Sequence, residues 1–163
     1  LPPGLPLTIA GTIWDQDYHQ HLRSLARGKT VAFELSPSDE RLISLYRAAA
    51  IHVAPSVTRS YKGESHPNAE LMGITTMEAL ASGAPVAVSN VCSLPELIEG
   101  ADVGEVFADD AELRSILDRV KDGSWLRAHP PATCRSFASA NYSSLAVGRK
   151  IIAAYESIVR HRS

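Results

Sequence analysis

The chain has 163 residues, 45% of them hydrophobic, with a formal net charge of -2 and a pI near 6.3. That is one ordinary globular domain with enough apolar material for a core, and its charge balance excludes the basic surface that nucleic acid or anionic lipid requires. No apolar run reaches membrane-spanning length, and the opening Leu1-Pro-Pro-Gly-Leu-Pro-Leu7 is no signal peptide.

Two cysteines, Cys92 and Cys134, are too few for a disulfide framework. They read as free thiols of a reducing compartment, so a cytoplasmic location is expected. The first residue is not Met, and the chain reads as an excised piece of something longer.

Taken in order, residues 5–10 read as a short buried strand ended by Gly11. Residues 15–26 carry Tyr18, Leu22 and Leu25 at helical spacing, with Gly28 as the stop. Residues 30–35 are the next strand. Ser36-Pro-Ser-Asp39 resembles a capping box with Pro37 at the first helical position, and the helix runs to Ala49 with Leu42, Leu45 and Tyr46 on one face. Residues 51–54 are a strand closed by Pro55-Ser56. A polar loop over 57–69, with Gly63 and Pro67, is expected to be mobile.

A helix over 73–82 and a strand over 85–89 follow. Ser93-Leu-Pro-Glu96 caps a short helix through Ile98, and 104–107 is the last strand. Residues 110–121 form an amphipathic helix with Leu113, Ile116, Leu117 and Val120 inward, and a helix over 142–161 ends the chain. Short apolar strands alternating with helices predict an α/β fold: a doubly wound, Rossmann-like parallel sheet with helices on both faces. No linker divides residues 1–163. Right-handed crossovers put the loops after Ala10, Leu35, Ala54 and Ser89 on one edge, where ligands bind.

The most informative stretch runs from Glu70 to Ser89. It sets two carboxylates, Glu70 and Glu78, with a glycine between them, then an apolar helix, Gly83 and an apolar strand. A glycine at a helix N-terminus leaves N–H groups pointing outward, and the helix dipole adds partial positive charge. That makes a phosphate site. A carboxylate on each side can accept hydrogen bonds from sugar hydroxyls, so the arrangement suits a nucleotide-sugar.

This block resembles the signature of retaining glycosyltransferases of family 4, which have the GT-B fold. Their pattern reads roughly Glu-Gly-Phe-Gly-Leu-x-x-x-Glu-Ala-Met-Ala-x-Gly-x-Pro-Val. Glu70, Gly73, Glu78, Ala79, Ala81, Gly83, Pro85 and Val86 fall on it without a gap, while Leu71 and Met72 replace Gly-Phe and Leu80 replaces Met. Leu7-Thr-Ile-Ala-Gly11, residues 30–42 and 45–56, Leu94-Pro-Glu-Leu-Ile98 and Gly104-Glu-Val-Phe107 look like the family's flanking elements.

The resemblance implies a single C-terminal, donor-binding domain over 1–163. The N-terminal acceptor half would be its missing partner and the only route to peripheral membrane contact. The implied reaction is hexosyl transfer from a nucleotide diphosphate-sugar to a hydroxyl on a glycan, lipid or small molecule, with retention, polysaccharide biosynthesis being one setting. No cofactor and no metal are expected, and the fragment alone should be inactive. The alternatives are a non-catalytic nucleotide-binding module and an interaction domain that keeps only the fold.

The sequence departs from the family at several points. The family's second half opens with a strand and then an Arg and a Lys that clamp the diphosphate, and nothing before Leu5 supplies them. Leu35 stands where a glycine is usual near the nucleobase, and the 57–69 stretch is longer than typical.

Each candidate residue has two readings. The resemblance makes Glu70 the catalytic carboxylate beside the transferred sugar; otherwise it is a solvated residue before a helix. The donor-binding residues it implies are Gly73, Ile74 and Thr75, through N–H groups on the diphosphate, and Glu78, on the two ribose hydroxyls. Without it they are a loop-to-helix junction and an exposed helix glutamate. At Gly73 a side chain should crowd the diphosphate more than the fold. Thr75 and Thr76 add hydroxyls or cap the helix. Arg59 and Lys62 either replace the basic clamp or are solvated loop charges, the latter being favoured. His52 and His66 lack partners at metal-ligand spacing. Cys92 reads as structural, and Trp14 and Trp125 as packing.

Overall fold

The computed structural model describes residues 1–68 and 70–160. The last residue of the 57–69 loop and the expected helix end at His161 lie outside them. The elements are β1 (Leu7–Gly11), α1 (Gln16–Leu25), β2 (Val31–Leu35), α2 (Asp39–Ala48), β3 (His52–Ala54), α3 (Ile74–Ser82), β4 (Val86–Ser89), a 3-10 turn (Pro95–Leu97), β5 (Gly104–Phe107), α4 (Asp110–Lys121), α5 (Ser124–Ala128), α6 (Pro131–Tyr142) and α7 (Ser144–Arg160).

Every strand pair is parallel, as the alternating pattern predicts, but the ladder is in two pieces. β1 pairs β2 from Leu7–Val31 to Gly11–Leu35, and β4 lies between β3 and β5. Among the described residues no strand pairs with the second edge of β1 or of β3, so the ladder is interrupted there. Helices cover both faces, and β2 shows how. Phe33 meets the His19 ring edge-on at 5.4 Å and lies under Arg23 of α1, while the adjacent Glu34 pairs with Arg41 of α2. Successive strand residues point to opposite faces, so α1 and α2 flank the sheet from opposite sides.

The core sits on β4. Val86 and Val88 pack with Leu80, Leu94, Val103 and Cys134 on one face, and Ala87 packs with Phe107, Ile116 and Trp125 on the other. A strand buried on both faces needs the continuous apolar run that Val86-Ala-Val88 supplies.

Several expected boundaries shift for local reasons. Ser38, not Ser36, caps α2 by accepting from the Arg41 amide at 3.3 Å. Pro37 therefore precedes the cap instead of occupying the first helical position. Ser93 does not cap a helix, and the segment after it makes only the 3-10 turn. The final helix lies where it was expected, as α7, but starts two residues later: Pro131 opens the preceding α6, Ser143 is extended, and its hydroxyl receives the Ala146 amide at 3.2 Å to start α7. Neither α5 nor α6 was predicted. The 57–69 loop is not a free strand of chain. Arg59 and Ser65 form an antiparallel bridge, and His66 donates its amide to Thr58 at 2.7 Å. This small hairpin rests on α1: Tyr61 stacks on His21 at 5.0 Å and meets Tyr18 at 5.2 Å.

Candidate functional site

The strands end on one edge, and α3 begins there. Gly73 sets its start. Its backbone is left-handed, with φ 59° and ψ 43°, a conformation that side chains disfavour. It is buried, and a Cβ on it would lie 2.5 Å from Leu97 Cδ1 and 2.9 Å from Leu94 Cδ2. The space that requires a glycine is therefore on the core side, which corrects the expectation that a side chain there mainly crowds a ligand.

Glu70 folds onto this turn. Its Oε1 accepts the Gly73 amide at 2.8 Å and the Met72 amide at 3.2 Å. It lies three residues before Gly73 and closes the turn ahead of α3, while the helix start itself has no side-chain cap. Of the three amides expected to face outward, that of Gly73 is thus already bonded. Among the described residues those of Ile74 and Thr75 meet no protein acceptor. They head a nine-residue helix, where unpaired N–H groups and the dipole favour an anion. Thr75 is exposed, whereas Thr76 is fully buried and its hydroxyl has no partner among the described residues.

Glu78 lies one turn further along α3 and is exposed. Its Oε2 accepts the Tyr46 hydroxyl at 3.3 Å. Tyr46 comes from α2, is 8% exposed, and has its phenol pushed up to about 12, by burial first and then by the Glu78 charge and hydrogen bond. Beneath it the His52 ring meets it edge-on at 5.6 Å. Burial pushes His52 down to about 4.

Three side chains hold the loop carrying Glu70, and sequence reasoning missed the two serines among them. Ser89 donates to the Ser56 carbonyl at 2.7 Å, Ser93 to Leu71 at 3.0 Å and the Cys92 thiol to Pro67 at 3.4 Å. Small polar residues just past a buried strand on the ligand edge were the available signal. Cys92 thus has the structural role read for it, and both thiols are free.

Arg59 and Lys62 have partners within the hairpin and α1. Arg59 donates to the Gly63 carbonyl at 3.2 Å, and Lys62 pairs with Asp15 at 3.4 Å and Asp17 at 3.9 Å. His66 lies 3.8 Å from Glu64. Trp125 is fully buried, as expected of a packing residue, but Trp14 is 94% exposed. Trp14 precedes the Asp15 cap of α1 in an edge loop. Among the described residues no group of three or more His, Cys, Asp or Glu is placed to hold a metal, and no helix is long and apolar enough to cross a membrane.

A doubly wound parallel α/β domain, with a glycine-started helix at the strand ends and a carboxylate on either side of that start, defines a domain of the glycosyltransferase class. Residues 2–128 match the family described as Glycosyl transferases group 1, and the chain belongs to that family. It is 37% identical over 107 residues to O-antigen chain mannosyltransferase B of Escherichia coli, a match covering 65% of this chain and 24% of that protein. It is 32% identical over 87 residues to D-inositol 3-phosphate glycosyltransferase of Corynebacterium aurimucosum, covering 53% and 18%.

Among solved structures, Anabaena Alr3699/HepE in complex with UDP-glucose superposes with a TM-score of 0.72 at 20% identity, over 96% of this chain and 42% of that one. AviGT4, a glycosyltransferase involved in avilamycin A biosynthesis, superposes at 0.68 with 22% identity, over 96% and 44%. These likenesses establish the GT-B type of fold. The matches span at most about a quarter of these curated relatives and under half of these solved chains.

Proposed function

We infer that this chain is the donor-binding half of a retaining glycosyltransferase of family 4, working with an acceptor half in a longer protein. A nucleotide diphosphate-sugar lies along the strand edge. The open Ile74 and Thr75 amides receive the diphosphate, Glu78 receives the two ribose hydroxyls, and Glu70 faces the transferred hexose. Glu70 Oε1 is occupied by backbone amides, but its Oε2 accepts nothing among the described residues and is free for sugar hydroxyls.

The reaction needs no side-chain nucleophile. Attack by the acceptor hydroxyl on the face the diphosphate leaves passes through an oxocarbenium-like state. The protein's contribution is to bind the leaving diphosphate, exclude water and orient two substrates. The acceptor is a hydroxyl of a glycan, lipid or small molecule, with polysaccharide synthesis as one setting. The cytoplasm, where free thiols persist, is the compartment of this reading.

The observation that carries the proposal is the pair of unoccupied amides at the start of α3 with Glu70 before them and Glu78 after. Two matched structures, Anabaena Alr3699/HepE in complex with UDP and in complex with UDP-glucose, support the ligand class. Calorimetric titration with UDP, GDP, ADP and TDP tests it. One of them should bind at micromolar to millimolar concentration, more tightly than the matching nucleoside. No heat with any of the four at millimolar concentration would leave a fold-only interaction domain as the better reading.

A further inference from the structure

We propose that Tyr46 is a positioning residue for the nucleotide: it locks the Glu78 carboxylate in the orientation that reads the ribose, and so lets the site distinguish ribonucleotides from 2′-deoxyribonucleotides. This rests on the proposed ribose role of Glu78. An exposed glutamate in the middle of a helix samples several rotamers, and fixing it costs conformational entropy when the ligand binds. Here the cost is met in advance. Tyr46 reaches Glu78 from the neighbouring helix α2, across 32 positions of sequence, and donates its hydroxyl to Oε2 at 3.3 Å.

The Tyr46 ring itself has little freedom. It is 8% exposed, belongs to the main core cluster with Leu80 and Val88, and rests edge-on against His52 at 5.6 Å. The phenol stays protonated across the physiological range, so it is always a donor to the carboxylate. His52 below it is neutral at ordinary pH, so no buried charge competes for the hydroxyl.

A carboxylate offers roughly four lone-pair positions. One on Oε2 is taken by Tyr46, which restrains that oxygen, and the exposed side chain keeps acceptor positions on both oxygens. Two vicinal hydroxyls can then bind in bidentate fashion, whereas a 2′-deoxyribose offers one hydroxyl to the same fork. Removing the Tyr46 hydroxyl does not remove the acceptor; it removes the alignment.

The test is Tyr46→Phe in the full 163-residue chain. Phenylalanine keeps the ring in the core cluster, and thermal melting verifies that the fold is retained. Affinities are measured for the ribo and 2′-deoxy forms of UDP, GDP and ADP, and for inorganic pyrophosphate. In the wild type the preferred ribonucleotide should bind at least tenfold tighter than its deoxy form. In Tyr46→Phe that preference should fall three- to tenfold while pyrophosphate affinity stays unchanged, and in a Glu78→Ala background the Phe substitution should add nothing. A full ribose preference in Tyr46→Phe, alongside its loss in Glu78→Ala, overturns the positioning role and leaves the site assignment standing. An intact preference in Glu78→Ala overturns both.

Discussion

The carboxylate of Glu70 accepts the amide of Gly73 at 2.8 Å, so the residue expected to face the sugar also braces the turn that leads into α3. This bond and the one from the Met72 amide use only Oε1. Glu70→Ala removes its bonds to the Met72 and Gly73 amides and should cost about 1 kcal/mol of stability, the usual net worth of a hydrogen bond. Nucleoside diphosphate affinity should hardly change, because the Ile74 and Thr75 amides stay in place and the Gly73 amide is released. Thermal melting and calorimetry on the same variant check this. A variant as stable as the wild type would mean these turn bonds carry no weight, and one that no longer binds nucleotide would mean Glu70 contacts the nucleotide portion.

Gly73→Val should damage the fold. A β-branched side chain resists a φ of 59° and meets Leu94 and Leu97 at once. Overpacking costs about 1–3 kcal/mol, and the left-handed conformation adds roughly 1–2 kcal/mol. The melting temperature should fall by many degrees, with nucleotide binding lost in proportion. A variant with unchanged melting and lost binding would restore the expectation that the space belongs to the ligand.

His52 makes the domain acid-sensitive. Its folded-state value, about 4, lies below the ordinary 6.5 because burial penalises the charged form. The unfolded chain therefore binds the extra proton between those values, and stability rises with pH there. The contribution is fully present above about 6.5 and is lost as pH falls through the window to about 4. The loss at the acid end is on the order of 3 kcal/mol. Denaturant unfolding of the wild type and of His52→Leu between pH 7 and pH 5 should show a steeper decline in the wild type. Parallel declines would assign the acid sensitivity to other groups.

The hairpin before Glu70 is held to α1 through Tyr61. Tyr61→Ala should therefore expose Arg59 and Lys62 to trypsin while the melting temperature changes little, since local opening needs no loss of the β4 core. Limited proteolysis with mass identification of the cut sites reads this directly. Equal cleavage rates in the two proteins would show that the ring contacts do not hold the hairpin.

The sequence showed the fold where local signals were strong. Apolar strands such as Val86-Ala-Val88 and capped helices such as the one begun by Asp109 lie where they were expected. α5 and α6 escaped because they earn their stability from tertiary contact: Trp125 and Cys134 are buried against other elements, and the segment lacks a long amphipathic period of its own. Motif spacing singled out Glu70, Gly73 and Glu78 as candidates, but not that Glu70 turns back on Gly73 or that Tyr46 crosses from α2 to Glu78. Contacts across 32 positions leave no mark on local pattern. Trp14 was misread because an aromatic residue was assumed to be interior, although a loop ahead of a helix cap offers nothing to bury it.

The two tryptophans, one 94% exposed and one wholly enclosed, form a built-in pair of optical probes. Trp14 should emit to the red and be quenched readily by iodide or acrylamide; Trp125 should emit to the blue and resist quenching until the core opens. One unlabelled sample thus carries separate signals for its strand edge and for its interior. Changes at the edge can be followed by light while the state of the core is monitored in the same cuvette.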